Sequence, residues 1–124
     1  MAENTTEGNL ILDVRGLKVV FPTSEGLIRA VEGVDIQVAS GECVCIVGES
    51  GCGKSVSALA MMRLLNSPPA VTSSRGILFD GIDLETFTEK EMQNVYGKRM
   101  SIIFQDALSA LNPVMPVGKQ IDEV

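Results

Sequence analysis

Histidine is missing from this 124-residue sequence, and cysteine is scarce, at Cys43, Cys45 and Cys52 only. Two thiols two positions apart, with no imidazole anywhere, do not have the ligand spacing of a zinc site. On a strand, Cys43 and Cys45 face the same side, and the simpler reading is small buried hydrophobes in a reducing compartment. Long apolar runs are missing too. A bilayer-spanning helix needs about 18 such residues. The longest run here, residues 58–65 (ALAMMRLL), is short and carries Arg63. The N-terminus, MAENTTE, lacks the basic and apolar regions of a secretory signal. The chain is therefore expected to be soluble by itself, or to reach a membrane through a partner. Finally, there is no Lys/Arg cluster: 10 basic residues against 16 acidic ones leave a formal charge of -6. Such a chain has no general field for nucleic acid, so any anion must be held by a local, shaped site.

What is present is enough apolar residue, 45%, for the core of one domain or part of one. After a polar start at residues 1–9, read as disordered, LILDVRGLKVVF is β-rich and PTSEG has turn chemistry. LIRAV and VDIQVA read as two short strands separated by Glu32-Gly33, the second alternating as a half-exposed antiparallel strand does. CVCIV, residues 43–47, runs apolar without alternation, the mark of a central parallel strand covered on both faces. Residues 54–65 then predict a buried helix, ended by Asn66-Ser67-Pro68-Pro69. Asp80-Gly81 between apolar residues predicts a two-residue hairpin. Thr88 and Glu91 fit a capping box opening a helix to about Val95. MSIIF predicts one more strand, and VGKQIDEV opens a helix.

Residues 48–55 read GESGCGKS, between the predicted buried strand and the predicted helix. This is the pattern G-x-x-x-x-G-K-[ST], credible as a phosphate-binding loop only in that strand–loop–helix setting. Phosphates need converging donors, and backbone amides serve if the chain can curl without side chains in the way, hence Gly48, Gly51 and Gly53. The helix opening at Lys54 adds unpaired amides and the positive end of its dipole. Lys54 brings a full charge to the outer phosphates, and the Ser55 hydroxyl suits Mg²⁺. Glu49, Ser50, Cys52 and Val56 complete the backbone wrap. The alternative is a turn that merely joins strand to helix.

The loop occurs in many nucleotide-binding proteins, and its surroundings narrow the choice. SGECVCIVGESGCGKS, the hairpin GILFDGIDL and SIIFQDALSALNP together resemble the ATP-binding subunit of an ABC transporter, from about Leu10 to the end of the chain. VGESGCGKSVSALAMMRLL and IIFQDALSALNPVMPVGKQI are similar to its oligopeptide/dipeptide importer class. The resemblance implies an α/β fold: a P-loop NTPase core with an antiparallel β subdomain. It implies a partial ATP-binding core over residues 10–106 and the start of a helical subdomain over residues 107–124. It makes residues 48–55 the Walker A loop for ATP and Mg²⁺. It places Gln105 where an amide oxygen approaches Mg²⁺ and the attacking water, in the loop that links the core to the helical subdomain. Phe21 falls where an aromatic stacks on adenine, or else it is a core phenylalanine closing a strand. The implied partners are membrane-spanning permease subunits, which residues 107–116 would face, and a second ATP-binding subunit. The implied location is the cytoplasmic face of the cell membrane.

Two positions depart from the family pattern. Val56 stands where many members have threonine, which removes a hydroxyl contact to phosphate but leaves the amide. Ala107 stands where the class often has proline. The signature, the Walker B aspartate with its catalytic glutamate, and the switch histidine are not in these residues, which read as an N-terminal fragment. These residues alone are expected to bind Mg·ATP weakly, without turnover, and to be poorly soluble. A soluble P-loop kinase and a non-catalytic nucleotide-binding module are the rival readings; a downstream LSGGQ and Asp-Glu would decide for the transporter.

Overall fold

The computed structural model describes residues 9–106 and 111–122. The chain divides into two compact units, Met1–Thr86 and Phe87–Val124.

The first unit is built on a long hairpin, β1 (Leu10–Thr23) and β2 (Gly26–Ala39). It continues through α1 (Lys54–Met61), β3 (Val71–Ser73), β4 (Gly76–Phe79) and β5 (Ile82–Asp83). The sheet is antiparallel throughout, in the order β2-β1-β4-β5, with β3 also beside β1. β1 is central because β2 pairs along one edge and the short strands β3 and β4 along the other. The two strands expected around Glu32-Gly33 are one, β2, and the turn signal marks a bulge instead. Gly33 has φ +74° and stands as an extra residue between the Leu17–Val34 and Lys18–Glu32 pairs. Ala30 is a second extra residue on β2, and β1 carries two of its own, at Ile11 and over Arg15-Gly16. With two irregularities on each strand, Leu10 still faces Ala39 at one end and Thr23 faces Gly26 at the other.

The β1 bulges decide which side chains reach the core. Strict alternation would put Val14 and Leu17 on opposite faces. The irregularity near Gly16 (φ +60°) resets the phase, and Val14, Leu17 and Val19 are all fully buried. Ile77 and Phe79 of β4 and Ala60, Met61 and Met62 at the end of α1 are buried with them. Asp80 (φ +51°) and Gly81 (φ +77°) both adopt the left-handed conformation between β4 and β5, as a two-residue hairpin turn requires. α1 is four residues shorter than its apolar run predicts. Arg63 turns left-handed (φ +55°), and the amides of Arg63 and Leu64 close back on the carbonyls of Ala60 and Leu59, a Schellman ending. The Arg63 guanidinium also donates to the Leu84 carbonyl at 2.8 Å, which holds the turn in place.

Asp13 is a buried carboxylate, 6% exposed, that accepts from Arg15 Nε at 2.9 Å and from Gln37 Nε2 at 3.3 Å. The Arg15 hydrogen bond holds its carboxyl below the usual range; burial pushes the other way and loses, with Gln37 adding to the lowering. A depressed carboxyl stabilises the fold above its unfolded value, about 3.9, and that contribution disappears as pH falls through the lower folded value. Stability should therefore decline below about pH 4, and Asp13→Asn should flatten the decline. Urea melts between neutral and strongly acidic pH check this; parallel profiles for the two proteins would refute it.

The second unit holds α2 (Glu89–Val95) and α3 (Val117–Asp122). Thr88 caps α2 as expected: its hydroxyl accepts from the Glu91 amide, and the Glu91 carboxylate accepts from the Thr88 amide at 2.7 Å. That backbone bond, with the Thr88 hydroxyl, keeps the Glu91 carboxyl below its ordinary range.

Two expected strands are not formed. Residues 43–47 and 101–104 have no ladder partner among the described residues, and Val47 and Ile103 are 92% and 93% exposed. A central parallel strand exists only with neighbours on its edges, and none pairs here. The same fact corrects the reading of the thiols: Cys43, Cys45 and Cys52 are exposed, not buried. The expectations for residues 1–8 and for Ala107 lie outside the described residues.

Candidate functional site

The glycine-rich stretch is a compact turn between residue 47 and α1. Its second and third glycines are left-handed, Gly51 at φ +81° and Gly53 at φ +91°. The third glycine is also sterically required. A Cβ on Gly53 would lie 2.4 Å from the backbone oxygen of Ala30, a distance no side chain tolerates. A Cβ on Gly48 would meet Cys52 Sγ at 2.6 Å, so the loop's first and fifth residues close on one another.

Lys54 folds back over the loop. Its ammonium donates to the carbonyls of Gly48 at 2.7 Å and Glu49 at 2.5 Å, and lies 3.5 Å from Cys52 Sγ. No carboxylate among the described residues pairs with it. The backbone donors are the other half of the site. The Cys52 amide reaches the Glu49 carbonyl at 3.4 Å, and the Ser57 amide reaches Gly53 at 2.8 Å. Among the described residues, the amides of Gly51, Gly53, Lys54 and Ser55 have no protein acceptor. The first turn of α1 carries no acidic residue. Three of these amides lie at the N-terminus of α1 and that of Gly51 lies in the loop before it; next to an ammonium without a carboxylate, they form a donor set that fits a polyanion.

Gly48, Glu49, Ser50, Gly51, Cys52 and Ser55 are exposed; Gly53, Lys54 and Val56 are half-buried. The sequence pattern brings all nine together by contiguity. Phe21 sits half-buried near the far end of β1, opposite Ile28. It is tied to the loop through β2, because Ala30, two residues beyond Ile28, is the residue against Gly53. Gln105 belongs to the second unit, where it is exposed just past residues 101–104. Ala30 was not legible as a site residue, since nothing in an alanine within LIRAV signals a carbonyl set against the loop.

The family model described as ABC transporter matches residues 31–123, three quarters of the chain. The chain belongs to the ABC transporter family. Its ABC relatives include an oligopeptide transport ATP-binding protein of Bacillus subtilis, 49% identical over 92% of this chain and 32% of that protein. A dipeptide transport ATP-binding protein of the same organism is 44% identical over 91% of this chain and 34% of its own length. One from Escherichia coli has those same values. The chain thus spans about a third of the length of the curated relatives it matches. The antiparallel sheet with its few helices agrees with the N-terminal subdomain of an ABC ATPase, a family defined by nucleotide binding. Among the described residues, no helix is long and apolar enough to cross a membrane.

Proposed function

We propose that the chain is the nucleotide-holding part of the ATPase subunit that powers import of peptides or similar small solutes. The observation that carries this is the donor set of the loop: amides at Gly51, Gly53, Lys54 and Ser55 without acceptors, beside an ammonium without a carboxylate. ATP is the polyanion the family binds, and the names of the relatives supply the peptide. In this reading, the backbone of residues 48–56 wraps the phosphates and Lys54 neutralises the outer ones. Phe21 offers its ring to the base. The Ser55 hydroxyl would hold Mg²⁺, which would offset charge on the phosphates, and the Gln105 amide oxygen is the second ligand that the family resemblance implies. Residues 43–47 and 101–104 take their places as parallel strands of the P-loop core once neighbours cover them, which accounts for apolar side chains as exposed as Val47 and Ile103. The subunit pairs with a second ATP-binding subunit and sits against permease subunits on the cytoplasmic face of the membrane.

The test uses the full-length gene product, purified together with the membrane proteins that accompany it. The expected result is Mg²⁺-dependent ATP hydrolysis that rises when peptide and its carrier are supplied. A preparation that binds no ATP would overturn the reading of the loop; one whose ATP hydrolysis is unchanged by the membrane partner, peptide and carrier would overturn the transporter reading.

A further inference from the structure

The hairpin that precedes the loop does more than complete the sheet. Val19 pairs with Val31 and Val20 with Arg29, so Ala30 is an extra residue without a partner on β1. On its other edge β1 pairs regularly with β3 at the same two positions, Val19 with Thr72 and Val20 with Val71. The irregularity is therefore confined to β2. A bulge re-aims the backbone groups of the residue it inserts. Here the carbonyl of Ala30 is the group that meets Gly53. The Val31 side chain, 5% exposed, comes next: its Cγ2 would lie 3.5 Å from a Cβ on Gly53.

Two glycines of the loop make the contrast. Gly51 and Gly53 share a left-handed backbone, but a Cβ on Gly51 would meet nothing within 4 Å. Of the two, Gly53 alone is pressed against the hairpin. Gly53 is also the N-cap of α1, and no side chain caps that end. The contact with β2 therefore stands at the helix end where a capping side chain is missing.

We infer that the β2 bulge at Ala30 is a positioning element for the phosphate-binding loop: its backbone carbonyl is the stop against which Gly53 seats, and this aims the helix-end amides at the phosphates. This rests on the nucleotide reading of the loop. Ala30 acts through its main chain, so its side chain is free to change and its place in the register is not.

The experiment compares variants of the full-length protein by ATP titration calorimetry and by amide resonances of residues 51–55. Ala30→Ser keeps the bulge and should bind ATP within about twofold of the parent. Deletion of Ala30 removes it and should weaken ATP binding at least about tenfold, as displacements of supporting structure do. It should also shift the Gly53, Lys54 and Ser55 amide resonances before any nucleotide is added, an effect that a uniform loss of stability does not produce. Should the deletion fail to fold, Gly53→Ala against Gly51→Ala decides. Both carry the left-handed strain, so a loss at Gly53 at least about tenfold greater than at Gly51 supports the seat. Equal losses, or a deletion variant with parental affinity and resonances, overturn it. A parent protein that binds no ATP overturns the nucleotide reading instead, and the resonance comparison without nucleotide still tests the seat.

Discussion

Replacing Lys54 by alanine should lower the affinity of the full-length protein for ATP by roughly thirty- to a thousand-fold, or about 2–4 kcal/mol, as loss of one partner from a charge pair that phosphate buries would do. The expectation follows from the surroundings of the ammonium. The ammonium has no carboxylate partner among the described residues to compete with phosphate. Its hydrogen bonds go to the loop's own carbonyls at Gly48 and Glu49. It therefore brings charge and at the same time ties the start of the loop to the start of α1. Alanine removes both functions. The carbonyls it leaves behind are on exposed residues and can take water, so the melting temperature should barely change. Lys54→Arg should recover little, because a planar fork does not place its donors where a single ammonium does. Calorimetry with ATP, alongside a thermal melt, separates affinity from folding. Parental affinity in the alanine variant would mean that this ammonium never meets phosphate, and the loop would lose its role as a nucleotide cradle.

Leu17→Ala acts on stability instead. Leu17 is among the largest of the fully buried side chains and lies on β1, the strand at the centre of the sheet. Cutting a buried leucine to alanine loses transfer energy and leaves a cavity, about 2–5 kcal/mol together. For a unit of this size that is a fall in melting temperature of about 10–20 °C or more. The neighbouring pair makes the control. Val34 faces Leu17 across the ladder but is 36% exposed, so Val34→Ala should cost about 1 kcal/mol or less. Urea melts of the two variants give the comparison. Equal, small losses would mean that the bulge at Gly16 does not turn Leu17 inward.

The β1 phase shows how far local signals reach. Val14, Leu17 and Val19 have no strand period, yet all three are buried, because Gly16 interrupts the alternation between the first two. From LILDVRGLKVVF one reads a strand; the extra residues that rotate it are set by the partner strand. Glu32-Gly33 is the same lesson in β2, where a turn signal became a bulge. Gly53 is a third case. Its presence in the loop follows from the dihedral that any phosphate cradle needs, but its contact with Ala30 depends on a chain segment more than twenty positions earlier.

By itself, the order of residues determined whatever the backbone settles within a few positions: the left-handed Asp80-Gly81 turn, the Thr88–Glu91 cap, and a glycine-rich loop opening a helix at Lys54. Those features are matters of local dihedral preference and of hydrogen bonds spanning three or four residues. Tertiary structure alone decided the rest. Residues 43–47 have the composition of a buried strand and are exposed, because a strand is made by its neighbours. The four bulges of the hairpin, and the carbonyl that Gly53 rests on, exist only once β1 and β2 have paired.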